Sequence, residues 1–297
     1  MNFEELSIKM KEKFKNHTKS TIQIRISCTK RLMRECFGVT IFDSYYYENI
    51  RDVKQYIYGF PNKTVRKNLS VGIFKALQAI DSDLIAVYGK FYQKMANEAD
   101  SERIYKKPTK KELSHQKTWD EIVEIRKDLF KTRITSNNAF MRYFIAAIFT
   151  KIPPLRQSEW IGAAFVDTGN NNYVDLDKKI LVLRNYKTQK QYGNRIINIP
   201  DSLITTMKKY KVRFKTNLLV SKVTDPNKSM SCPGVTSYLT NIFGCSVCML
   251  RKIFISNMLD NPDITVERRK EVANIMSHKL STQEFIYSTF SKKLNYE

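Results

Sequence analysis

One of the chain's three histidines, His278, is followed nine residues later by Tyr287, close to the C-terminus. An imidazole ending one helix and a phenol on the next can converge on a single small anion. With sixteen tyrosines in the chain, that pair alone is not selective. Other chemistries have thinner support. Cys245 and Cys248 form a C-x-x-C, but the only further cysteine nearby is Cys232 and no histidine flanks it. Zinc is therefore not expected there. Asp175-x-Asp177 is a close carboxylate pair, but it falls at a strand turn, where Asp is favoured anyway. A metal-dependent nuclease or transposase would need more clustered carboxylates than this.

The elements that must position His278 and Tyr287 are helical by pattern. Val266 to Met276 places Val266, Val272, Ile275 and Met276 among charges, as an amphipathic helix does. Ser281 or Thr282 can cap a second short helix with Phe285, Ile286 and Phe290 on its buried side. Further upstream, Thr118 and Glu121 make a capping box, and helices are expected over Trp119 to Lys131 and Asn137 to Thr150. Pro153-Pro154 breaks the chain, and a helix resumes from Leu155 to Ala164 with Arg156 at its start. Tyr173 to Leu176, Lys179 to Leu183 running on through Lys187 to Gly193, and Arg195 to Ile199 alternate as a small antiparallel sheet with a basic hairpin tip. Helices return at Leu203 to Tyr210, Val235 to Phe243 and Val247 to Leu259.

Residues 1–105 read as a separate helical domain. Phe3, Leu6, Met10 and Phe14 mark a first helix, and Ile22, Ile26, Leu32 and Met33 a second. Ile50, Val53, Ile57 and Phe60 mark a third. Asn62 caps a fourth carrying Val65, Leu69, Ile73, Leu77 and Ile80 on one face, and Leu84 to Met95 closes the bundle. Residues 106–117, with Lys106-Lys107-Pro108-Thr109-Lys110-Lys111, read as a basic linker, and 118–297 as the second domain. The fold class expected is mainly α with a small antiparallel β-sheet.

Fifty-one Lys and Arg against twenty-nine Asp and Glu leave the 297-residue chain with a net charge of +22, spread along its length. Such a field favours a polyanion, nucleic acid or an anionic membrane surface. Lys30, Arg31, Arg34, Lys54, Lys63, Arg66 and Lys67 on the outer faces of the first domain are expected to track phosphates. The most apolar segment, Ala139 to Ile152, is short and contains Arg142 and Lys151, so it reads as a core helix and not a membrane span. The N-terminus lacks the pattern of a signal peptide, and five cysteines imply reduced thiols in an intracellular protein.

Read together, the boxes form a series: Leu155-Arg156-Gln157-Ser158-Glu159 as L-R-x-x-E, Lys187 at the hairpin, Leu250-Arg251, His278 and then Tyr287. In order and spacing this resembles the catalytic set of the tyrosine recombinases, or phage-type integrases, over about Thr118 to Tyr287. Residues 1–105 resemble that family's core-binding domain only loosely. Two departures stand out. The family's H-x-L-R reads Cys248-Met249-Leu250-Arg251 here, and its G-H reads Ser277-His278. The layout further resembles integrases of large DNA viruses, virophages and related mobile elements, which implies the host nucleus or a viral factory as the compartment.

The resemblance implies a site-specific recombinase acting on double-stranded DNA as a homo-oligomer, dimer to tetramer, without cofactor or metal. Tyr287 would attack phosphorus, and Arg156 and Arg251 would fork hydrogen bonds onto the non-bridging oxygens. His278 would add a donor or assist deprotonation of Tyr287, and Cys248 would stand where a histidine usually does. Lys187, with Lys190 as fallback, would protonate the leaving 5′ oxygen, while Glu159 would orient backbone or an arginine. A type IB topoisomerase shares this chemistry, and a non-catalytic DNA-binding relative is left open by Cys248. Phe290 and Leu294, four apart in the tail, would pack into a neighbouring subunit.

Overall fold

The computed structural model describes residues 1–104 and 108–291, in two compact units, Met1–Tyr105 and Lys106–Glu297. Lys106 and Lys107 of the expected linker, and Leu294 of the tail, lie outside the described residues.

Among the described residues the first unit holds five α-helices, α1 (Phe3–Lys13), α2 (Lys19–Phe37), α3 (Ile50–Tyr58), α4 (Lys63–Ala79) and α5 (Ile85–Ile104), with a 3-10 turn at Ser44–Tyr47. Local chemistry sets their starts. Asn2 and Glu5 form a capping box on α1, and the Asn62 side chain accepts from the N–H groups of Thr64 and Val65 to open α4. Helix α4 is the hub, packing on α1, α2, α3 and α5. At Gly72 a Cβ would come within 2.8 Å of Cys28 Cβ and 3.1 Å of the Arg25 carbonyl, so the close approach of α2 and α4 requires glycine. The charged outer face is less free than its composition implied. Arg31 and Arg34 both pair with Glu35, Lys67 with Asp100 and Lys63 with Glu102.

In the second unit, α6 (Lys110–Ser114) occupies part of the expected linker. Thr109 and Glu112 cap it, and Glu112 pairs with Lys252 at 2.6 Å, so this stretch is folded and not a bare connector. Then follow α7 (Trp119–Thr132), opened by the Thr118–Glu121 capping box, α8 (Asn137–Thr150) and α9 (Gln157–Ile161). Helix α8 is the buried axis: Phe140, Met141 and every residue from Tyr143 to Thr150 are buried, and Phe144 stacks on Tyr210 at 4.0 Å. Among the described residues no single helix is long and apolar enough to cross a membrane.

The sheet runs β1 (Ala163–Ala164), β2 (Asn172–Asp175), β3 (Ile180–Leu183) and β4 (Arg195–Asn198), in that order. It is mixed and not purely antiparallel, because β1 pairs parallel to β2. The helix expected to reach Ala164 stops at Ile161, where Gly162 turns the chain into β1. The expected strand extension through Lys187 to Gly193 is instead a loop with one helical turn, α10 (Gln189–Tyr192), closed by Gly193.

After the sheet come α11 (Asp201–Phe214), α12 (Cys232–Phe243), α13 (Val247–Asp260), α14 (Val266–Ile275) and α15 (Leu280–Thr282), the last running into a π-helical turn at Gln283–Tyr287. The expected cap at Ser281 or Thr282 is not used; Lys279 sits at that position. The wider π turn rotates Phe285 out to 55% exposure, against the expectation that it is buried. Phe290 packs against the core of its own unit, and its N–H bonds to Ser256 Oγ at 3.0 Å.

Candidate active site

The turn from α14 to α15, Met276-Ser277-His278, is where distant arginines meet. Arg156, at the N-cap of α9, is held by Glu159: its N–H donates to Oε2 at 2.7 Å and its Nη1 to Oε1 at 3.0 Å. Glu159 is fully buried. Asn172 braces this corner, donating to the Glu159 and Asn185 carbonyls while its Oδ1 accepts from the N–H groups of Arg184 and Asn185. All of its side-chain groups are used, as a fully buried amide requires. Arg156 Nη2 then reaches the Ser277 carbonyl at 3.2 Å.

Arg251, on α13, is 1% exposed. Its Nη1 donates to the Pro154 carbonyl at 2.6 Å, and its Nη2 to the Met276 carbonyl at 3.0 Å. Nη2 also lies 3.2 Å from His278 Nδ1. Among the described residues its buried Nε–H has no partner.

His278 follows Ser277, which has a φ of +55°. That is the left-handed region, costing a residue with a Cβ about 1 kcal/mol and glycine little, so Ser277 holds a conformation that favours glycine. Because a guanidinium only donates, His278 Nδ1 accepts from Arg251, and the imidazole proton sits on Nε2. Nε2 donates to Gln283 Oε1 at 3.2 Å, while Gln283 Nε2 donates to the Arg269 carbonyl, fixing the amide's orientation. Burial holds the His278 pKa down at about 4, and Arg251, Arg156 and Arg195 push it the same way against the Gln283 bond. His278 is thus neutral, with both ring nitrogens engaged.

Tyr287 is half-buried on the π turn. Its ring stacks on His278, centroids 5.1 Å apart and planes at 26°, and the Arg251 guanidinium lies 5.1 Å from its centroid. Ser256 on α13 anchors this segment through the Tyr287 carbonyl, and Arg269 pairs with Glu284 at 3.0 Å.

Arg156, Arg251, His278 and Tyr287 are therefore brought together. Cys248 is exposed on the first turn of α13, one turn ahead of Arg251 and outside the hydrogen-bonded cluster. Lys187 and Lys190 are exposed on the β3–β4 connection. That connection touches the site through Thr188, whose Oγ1 donates to the Ser277 carbonyl at 3.4 Å. Cys245 is buried, its thiol pushed up to about 11 by burial, and among the described residues no three His, Cys, Asp or Glu side chains cluster as metal ligands.

Sequence reasoning missed Arg195 and Gln283. Arg195 is 9% exposed and donates through Nη1 to Ser277 Oγ at 2.9 Å and to the Asn274 carbonyl, and through Nη2 to Asn274 Oδ1. A signal for it existed. Arg195, Ile197 and Ile199 share the buried face of β4 and its extension, while Ile196 is 69% exposed, so a charge stands in a core register.

No protein-family model matches the chain, and no curated protein matches it. Among solved structures it is similar to one titled "Crystal structure of XerA recombinase", at 14% identity and a TM-score of 0.43, over 98% of this chain and 95% of that one. A likeness at that level assigns no residue of this chain a role.

Proposed function

We propose that the chain is a DNA strand transferase of the site-specific recombinase type, cutting and rejoining DNA through Tyr287. The observation that supports the reading is the convergence of Arg156, Arg251, His278 and Tyr287 on one turn, from α9, α13 and the final helices. The net charge of +22 supplies the attraction for DNA.

The Tyr287 phenol oxygen attacks phosphorus and gives up its proton to water, the bond to the 5′ oxygen breaks, and a 3′-phosphotyrosyl ester remains. The ester keeps the energy of the broken bond, so a 5′ hydroxyl reverses the step without ATP. Arg156 and Arg251 donate to the non-bridging oxygens, each such donor contributing on the order of 3–4 kcal/mol to the transition state. With Nδ1 accepting from Arg251 and Nε2–H directed at Gln283, His278 orients Arg251 and does not act as a base. Lys187, on the exposed connection beside Thr188, delivers a proton to the leaving oxygen. In the free protein the Tyr287 ring covers Arg251, so the ring swings aside as phosphate enters.

A duplex nicked just beyond the cleavage point loses its short leaving strand and traps the ester. A denaturing gel should then show a shifted protein–DNA band that forms in excess EDTA and disappears with Tyr287→Phe. Exchange between two DNA molecules at a defined site should accompany it. Relaxation of arbitrary plasmid without exchange would make the chain a topoisomerase instead. Binding without any band would make it a non-catalytic relative.

A further inference from the structure

We infer that Arg195 is a positioning residue that sets the left-handed turn at Ser277 and, through it, the placement of His278 and Arg156. The inference rests on the strand-transfer reading for its effect on rate, but not for its effect on the turn.

Four observations converge. Arg195 is buried at the first position of β4, paired with Leu183 at the end of β3, and its guanidinium lies 4.8 Å from the Tyr192 ring centroid. It spans from the sheet to the end of α14, taking both the backbone carbonyl and the side-chain oxygen of Asn274. Its remaining contact is Ser277 Oγ, the hydroxyl of a residue at φ +55°. The Ser277 carbonyl, in turn, accepts from Arg156 Nη2 and Thr188 Oγ1. One fork therefore holds a peptide that Arg156 leans on, in a conformation that serine does not favour by itself. Arg195 spends these bonds on Asn274 and Ser277, and through them it acts on the turn.

The arrangement explains how the chain manages without glycine before His278. A glycine adopts positive φ unaided, whereas Ser277 is held there by the bond from Arg195 to its hydroxyl. A specific genetic relationship follows. Arg195→Gln releases the turn, and Ser277→Gly, added to it, restores a turn that no longer needs the clamp.

The test uses the full chain in four forms: wild type, Arg195→Gln, Ser277→Gly and the double variant, with Arg195→Lys as the conservative control. Single-turnover trapping on nicked duplex, at saturating DNA, should fall at least tenfold in Arg195→Gln while the DNA dissociation constant stays within about threefold. Arg195→Lys should recover part of that loss. The double variant should regain at least threefold over Arg195→Gln. Amide hydrogen exchange across Asn274 to Gln283 should rise in Arg195→Gln and fall again in the double variant, whether or not the protein forms a DNA adduct. A wild type that never forms the adduct, with the exchange pattern as expected, would defeat the strand-transfer reading and leave the clamp standing. A trapping rate in Arg195→Gln within twofold of wild type, a loss that Ser277→Gly does not restore, or unchanged exchange would overturn the clamp. A loss confined to DNA affinity would make Arg195 a phosphate contact.

Discussion

Arg251 and His278 share one hydrogen bond, Nη2 to Nδ1 at 3.2 Å, and it decides the state of the imidazole. A permanently charged guanidinium can only donate, so the histidine accepts there and stays neutral. Its proton is directed at Gln283 Oε1. The arrangement is stable only while His278 is unprotonated.

Stability should consequently depend on pH through His278. Its folded pKa of about 4 lies below the ordinary 6.5, so between those values the unfolded chain binds more protons. The contribution is present above about pH 6.5 and is lost as pH falls toward 4, amounting to at most about 3 kcal/mol. Urea unfolding at pH 7.5 and pH 5 should show wild type losing more stability than His278→Gln does. Equal losses would mean that the imidazole is not held neutral.

Cys248 and Arg251, three residues apart on α13, should behave oppositely. Arg251 is buried with bonds to two carbonyls and an imidazole, so Arg251→Ala should lower stability by about 2–4 kcal/mol and the cleavage rate by roughly 10²–10³. Cys248 is exposed, so Cys248→Ala should stay within about 0.5 kcal/mol of wild type. Cys248→His should preserve or raise cleavage. Trapping rates in which Cys248→Ala does more damage than Arg251→Ala would contradict this division.

Much of this architecture was legible because its signals are local. The Thr118–Glu121 box, the Asn62 cap and the Arg156–Glu159 pair each close within three residues. What escaped was set by contacts across long separations. The Arg195–Ser277 bond joins residues 82 apart, and the two-residue β1 exists through its pairing with β2 and its bridge to Leu218. The π turn that exposes Phe285 breaks the 3.6-residue period by which Phe285 was assigned to the core. The alternation of Lys179 to Leu183 carries the expected strand on into Lys187 to Gly193, whereas Gly193 at φ +66° closes a helical turn there.

In the first unit, Glu35 restrains two arginines and accepts from the Tyr56 hydroxyl at 2.6 Å; these bonds, Tyr56 foremost, hold its carboxyl down at about 2. DNA binding should be steeply salt-dependent, falling by roughly 10³–10⁵ between about 50 and 200 mM salt. Glu35→Gln should tighten binding by roughly two- to fivefold at the lower salt, because Arg31 and Arg34 lose their shared anion. A titration in which Glu35→Gln binds no tighter would remove this face from the DNA contact.

On the proposed mechanism Tyr287 becomes covalently joined to DNA. Trapped adduct should be digested with nuclease and protease, and the modified peptide sequenced by mass spectrometry. A nucleotide phosphate on the Tyr287 side chain and a free 5′ hydroxyl on the released strand are expected. Phosphate on any other residue, or a 5′ phosphate on the released strand, would contradict it.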